Sequence, residues 1–150
     1  MKAIKLIGGI LIIGLVGIQF FPVRTNMGEN GTAKDLIVIY KAPADIGNLL
    51  TAACYNCHSN HTDYPWYSRV QPVGWLIGHD IKEGRDDLNL GEFGTYTAER
   101  QKVRLESMIE HIEKNEMPLP SYRLMHPEAR LSEQEKQELI SWLGEVEESL

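Results

Sequence analysis

Apolar residues are spread along this chain in two ways, and each predicts a different kind of element. Residues 6–21 form a nearly unbroken apolar run of 16 positions, interrupted only by Gln19, behind Lys2 and Lys5. A run that is apolar on every side and starts this early is not the pattern of a core helix. It is the pattern of an export signal, with its positive end retained in the cytoplasm. No pair of small residues at cleavage spacing follows in Phe20-Phe21-Pro22-Val23-Arg24, so an uncleaved anchor is expected. Sixteen helical residues span only ~24 Å against a bilayer core of ~30 Å, with Pro22 and Val23 extending the apolar stretch. Residues 25–34, rich in Asn, Gly and Thr, read as a polar tether. The chain divides accordingly into a signal anchor or signal peptide (1–23), a linker (24–41) and one domain (42–150).

Within that domain the apolar positions recur at helical spacing. Behind Pro43, residues Ile46, Leu49, Leu50 and Ala53 mark a helix, weakened slightly by Gly47. A second follows Pro72 and carries Trp75, Leu76 and His79. Thr97 caps a third, running to about Asn115, whose apolar face holds Val103, Leu105, Met108, Ile109 and Ile112. Ser132-Glu133-Gln134-Glu135 is a capping box opening a fourth, with Leu139, Ile140, Leu143 and Val146 on one side and Trp142 as core. The glycine-rich piece 90–95 lacks the strand and helix context of a phosphate loop and reads as a turn. The expectation is a mostly α domain behind an N-terminal transmembrane or signal-anchor helix.

Charge changes the picture modestly. The formal net charge is −6, and because Lys2 and Lys5 lie in the apolar leader, the chain beyond residue 23 carries 13 basic and 21 acidic residues, a net of −8. An acidic body argues against a nucleic-acid surface and is compatible with a basic protein partner.

The two cysteines change it decisively. Cys54-Tyr55-Asn56-Cys57-His58 fits C-x-x-C-H. Thiols three positions apart on a helical turn share one face, ~5–6 Å apart, which suits thioether bonds to the two vinyl groups on one edge of a haem. His58 then sits beneath the iron as proximal ligand, the arrangement of cytochromes c. A thioredoxin-like dithiol needs a strand–helix scaffold that is missing here. A zinc site on Cys54, Cys57 and His61 leaves His58 without a purpose. Combined with an export signal, the motif points to one covalent haem c.

From Cys54 onwards the chain resembles a bacterial family of small exported haem-binding domains with a single C-x-x-C-H motif. The strings carrying the resemblance are CYNCHSNHTDYPWYSRVQPVGWLIGHDIKEGRDDLNL and EMPLPSYRLMHPEARLSEQEKQELISWL, which together cover most of residues 54–143. The resemblance implies a mostly helical variant of the monohaem cytochrome c fold, an N-terminal membrane segment, haem binding and electron transfer. One departure is Gly74, where a polar residue is expected.

For the second face of the iron the candidates are Met117, Met125, His79, His111 and His126. His61, tethered three residues from His58, is excluded. Met117 is preferred: Pro118 and Pro120 make 116–120 a stiff extended loop that can push a thioether at iron. The order of motif, helices, Met-Pro loop and closing helix is similar to that of small cytochromes c. The bland alternative is that Met117 fills a core gap. His79 is the alternative ligand. Tyr64 and Trp66, with Tyr67, offer rings with a polar tip suited to a haem edge. Arg69 and Arg85 are candidate partners of haem propionates, Arg85 being favoured because it lies in the family-like string.

The expectation is therefore a membrane-tethered monohaem c-type cytochrome on the periplasmic side of the cytoplasmic membrane, handing single electrons to redox partner proteins and not acting as an enzyme. A haem-based sensor or gas-binding module, with an open or displaceable distal site, is the alternative. A peroxidase is the weakest reading, because it needs an open iron and a distal acid–base pair.

Overall fold

The computed structural model describes residues 2–150. Helix α1 (Lys2–Ile18) is 17 residues long and buries none of them. Among the described residues no helix is long and apolar enough to cross a membrane; 17 residues rise only ~25 Å. The predicted run thus forms a helix, but one short of a transmembrane span.

The body is helical, and among the described residues the one β feature is an isolated bridge between Met27 and His61. Its elements are α2 (Leu36–Ile39), α3 (Ala44–Leu50), a widened π turn (Thr51–Tyr55), α4 (Asn56–His58), a 3-10 turn (Trp66–Arg69), α5 (Val73–Asp87), a second 3-10 turn (Leu90–Thr95), α6 (Ala98–Glu113), α7 (Pro120–Met125), a third 3-10 turn (Pro127–Ala129) and α8 (Glu133–Glu148). The two long helices start as their sequences dictate. Thr97 accepts from the Arg100 N–H at the start of α6, and Ser132 and Glu135 form a reciprocal capping box on α8. α8 packs on α6 and on α3. Leu50, Leu105, Leu139, Leu143 and Phe93 are fully buried at the centre of the resulting core. This core holds α3 rigidly, and the chain leaves it directly into the C-x-x-C-H turn. At Gly47, suspected of weakening α3, an added Cβ would meet only Ile37, at ordinary contact distance.

The expected linker proves to be part of the body. Asn26 is buried and donates to Ser59 O (2.9 Å) and Thr62 Oγ1 (3.0 Å). Gly28 N–H donates to Asn60 O at 2.7 Å. Asp35, 1% exposed, caps α2 and accepts from the Tyr55 hydroxyl at 2.6 Å. A polar segment was predicted to be solvated. Instead its polar groups satisfy the backbone of the irregular stretch behind His58, which makes no regular ladder of its own. The residues that follow α1 are fixed to the start of α5, and the segment 26–35 forms a strap beside them. The Gln19 side chain donates to Gln71 O and accepts from Gln71 N–H, and Trp75 Nε1 donates to Phe21 O at 2.8 Å. Gly74 is explained by packing: a Cβ there would lie 2.3 Å from Ser68 O, so a side chain of any kind is excluded.

Candidate functional site

The π turn and α4 present the motif residues to one cleft. The cleft has two lobes, of about 460 Å³ and about 100 Å³, which share Ala53, His58, Asp87, Met117 and Pro118 as walls. Cys54 lines the smaller lobe, Cys57 the larger, and His58 lines both. Burial pushes the Cys54 thiol up to about 12 and the Cys57 thiol up to about 11. Both are therefore neutral thiols, unpaired with each other.

His58 is oriented by its second nitrogen. Nδ1 lies 3.2 Å from Leu88 O. A carbonyl only accepts, so Nδ1 carries the proton and the Nε2 lone pair is left for a ligand. Burial holds the His58 pKa below its ordinary value, which keeps the ring neutral, the form that binds metal. Leu88 is placed by the end of α5, and α5 approaches α4 closely because residue 84 is glycine. A Cβ on Gly84 would lie 3.0 Å from Cys57 O and 3.3 Å from His58 Cε1.

Across the cleft, Met117 follows α6 at a loop whose Glu116 and Met117 N–H groups both donate to His111 O. It is the one ligand candidate that walls both lobes with His58. His79 lines only the larger lobe and is exposed; His111 lines only the smaller and donates from Nδ1 to Glu116. His126 has both nitrogens engaged, with Glu128 at 2.8 Å and the Tyr67 hydroxyl at 2.7 Å. Met125 lies in a separate apolar pocket beyond Cys57.

Four predicted accessory residues are not brought to this cleft. Tyr64 accepts from Asn26 N–H at 2.8 Å and faces the strap. Trp66 is 77% exposed. Arg85 points away from the cleft into a separate pocket, where it donates to Asn26 Oδ1. Arg69 likewise lines a pocket beside the strap. The basic residue at the cleft is Arg104, which pairs with Asp87 at 2.7 Å and lines the smaller lobe with Ser107, Met108 and His111. Positions 104, 107, 108 and 111 recur at intervals of three and four, so this polar stripe on α6 was visible as periodicity. Met108 is expected on the apolar face and His111 among the ligand candidates, whereas Arg104 and Ser107 carry no signal of their own. Tyr122, also missed, lines the larger lobe and bonds Asn56 Nδ2 at 2.8 Å.

An apolar cleft lined by a neutral, oriented imidazole, a thioether and two thiols suits a flat, metal-centred group. It defines a haem-binding domain. Residues 13–145 match the haem-binding domain family, and the chain belongs to that family. No curated protein and no solved structure matches it.

Proposed function

We propose that this protein is a monohaem c-type cytochrome, anchored by α1 on the extracytoplasmic face of the cytoplasmic membrane, that passes single electrons between partner proteins. The observation that carries this reading is the bond from His58 Nδ1 to Leu88 O, at the floor of a cleft bounded by Cys54, Cys57 and Met117. Cys54 and Cys57 would hold the haem covalently through their sulfurs, and His58 Nε2 and Met117 Sδ would serve as ligands to its iron. When bound, haem supplies a one-electron couple whose potential the axial ligands and their surroundings set. The chain's own residues do the rest. Leu88 O fixes the tautomer and orientation of His58, Gly84 lets α5 close against the motif, and the apolar walls limit water. Arg104 and Ser107 offer donors to a propionate at the smaller lobe.

α1 supports the tether, since its apolar side chains are exposed on all faces. With Phe20, Phe21, Pro22 and Val23 beyond Ile18, the apolar length exceeds that of the helix alone. The acidic body supports basic redox partners.

The test is an absorption spectrum of matured protein, oxidised and reduced, with a denaturing assay for haem retention. Low-spin spectra, with haem surviving acid–acetone extraction in wild type and lost in Cys54→Ala/Cys57→Ala, are expected. Extractable haem would overturn covalent attachment. A high-spin, carbon-monoxide-avid reduced form would overturn the electron-carrier reading in favour of a gas sensor.

A further inference from the structure

On the opposite face of α5 from the haem cleft lies a second pocket, of about 300 Å³, which the haem reading leaves unused. Arg24, Lys82 and Arg85 line it, with Asp86, Tyr64 and Val23. Lys82 is already neutralised by Asp86 at 2.7 Å. The two guanidinium groups are not: among the described residues neither has a carboxylate partner. Arg85 Nη1 donates to Asn26 Oδ1, while its Nε is buried with no hydrogen-bond partner. A buried donor left unpaired calls for an explanation, because it forfeits hydration without recompense. Two free guanidinium groups around one concavity form a positive island in a body of net charge −8, and such a fork matches an oxyanion.

The position of the pocket narrows the anion. Arg24 comes six residues after the end of α1, directly behind Phe20, Phe21, Pro22 and Val23. Val23 and Gly78, which the pocket shares with its neighbour, are in contact tight enough that a Cβ on Gly78 would fall 2.3 Å from Val23 Cγ1. Trp75 ties Phe21 on the same side. The pocket is therefore fixed to the segment that leaves an apolar helix, where headgroups would lie if α1 is anchored as proposed. We propose that Arg24 and Arg85 bind the phosphodiester of a membrane phospholipid. This rests on α1 being in a bilayer only for the source of the phosphate, not for the anion chemistry.

The full haem-loaded chain in maltoside micelles is titrated calorimetrically with dihexanoyl phosphatidylglycerol, with dihexanoylglycerol, which lacks the phosphate, and with inorganic phosphate. Saturable binding of the phospholipid alone is expected, weakened about tenfold in each of Arg24→Gln and Arg85→Gln, the loss of one charge-assisted hydrogen bond. Lys102→Gln, the same change of charge on α6 and outside the pocket, leaves affinity unchanged. Arg85→Lys guards against misfolding, the haem spectrum and helical circular dichroism reporting on each variant. No binding by wild type, or binding indifferent to both arginine variants, overturns the proposal. Inorganic phosphate binding as tightly as the lipid overturns the lipid assignment and makes this a soluble-anion site. Flotation with phosphatidylglycerol vesicles separates the two readings. Failure to float with the pocket still binding lipid sinks the tether alone; flotation with no arginine-dependent binding sinks the pocket alone.

Discussion

His58, Met117 and Gly84 show how different kinds of residue information reach the site. Met117→Ala is expected to abolish the weak long-wavelength charge-transfer band of the oxidised protein. Loss of the thioether should also lower the reduction potential by on the order of 0.1 V, within the ~0.8 V range that axial ligands span. Voltammetry with matched spectra checks this; a spectrum indifferent to the change would move the ligand assignment to His79. Gly84→Ala pushes a methyl against Cys57 O and His58 Cε1 at 3.0 and 3.3 Å. It should cost about 1–3 kcal/mol as overpacking and lower the melting temperature, with a shifted haem spectrum because the motif itself is displaced. The C-x-x-C-H chemistry was legible in the sequence because its residues are neighbours in the chain. Gly84 was not, because its role arises from the approach of one helix to another 26 positions away. The placement of Arg85 beside Asn26 was hidden for the same reason. A propionate partner must lie on the right face of its helix, and only the contact between Gly84 and His58 reveals which face that is.

At the scale of elements, the long helices announce themselves and the short ones do not. α6 and α8 carry both a capping side chain and an apolar stripe, and each begins where Thr97 and Ser132 say it should. Ser132→Ala should destabilise the fold by about 1 kcal/mol by removing a cap, read in urea unfolding as a lower midpoint at unchanged slope. Leu139→Ala, in the buried seam of α8, should cost about 3–5 kcal/mol through transfer and cavity terms. An effect of the cap change equal to that of Leu139→Ala would contradict this account of what holds α8. The π turn over Thr51–Tyr55 had no signal in the periodicity. It arises where the α3 helix, fixed by the core, must hand over to a motif fixed by α5. The strap at 26–35 was equally opaque, since Asn, Gly and Thr look alike in sequence whether they face water or, as Asn26 does, the backbone of Ser59.

For the whole molecule, charge and polarity govern its encounters. With 21 acidic residues in the body against 13 basic ones, electron exchange with a basic partner should slow several-fold between about 0.01 and 0.15 M ionic strength, as screening shortens from ~30 to ~8 Å. Stopped-flow reduction at graded salt concentration checks this, and a rate that rises with salt would indicate an acidic partner instead. The hydrogen-bonded grip of Gln19 on Gln71 and of Trp75 on Phe21 bears on the same encounters. A carrier on a slack leash sweeps a hemisphere of fluid and can turn its reactive edge to any visitor. If α1 anchors the carrier as proposed, a body held at its base in this way would pivot chiefly about the membrane normal. Its partners then have to be met by lateral drift at one fixed height, so that delivery becomes a search in two dimensions, paced by how many partners share each patch of surface.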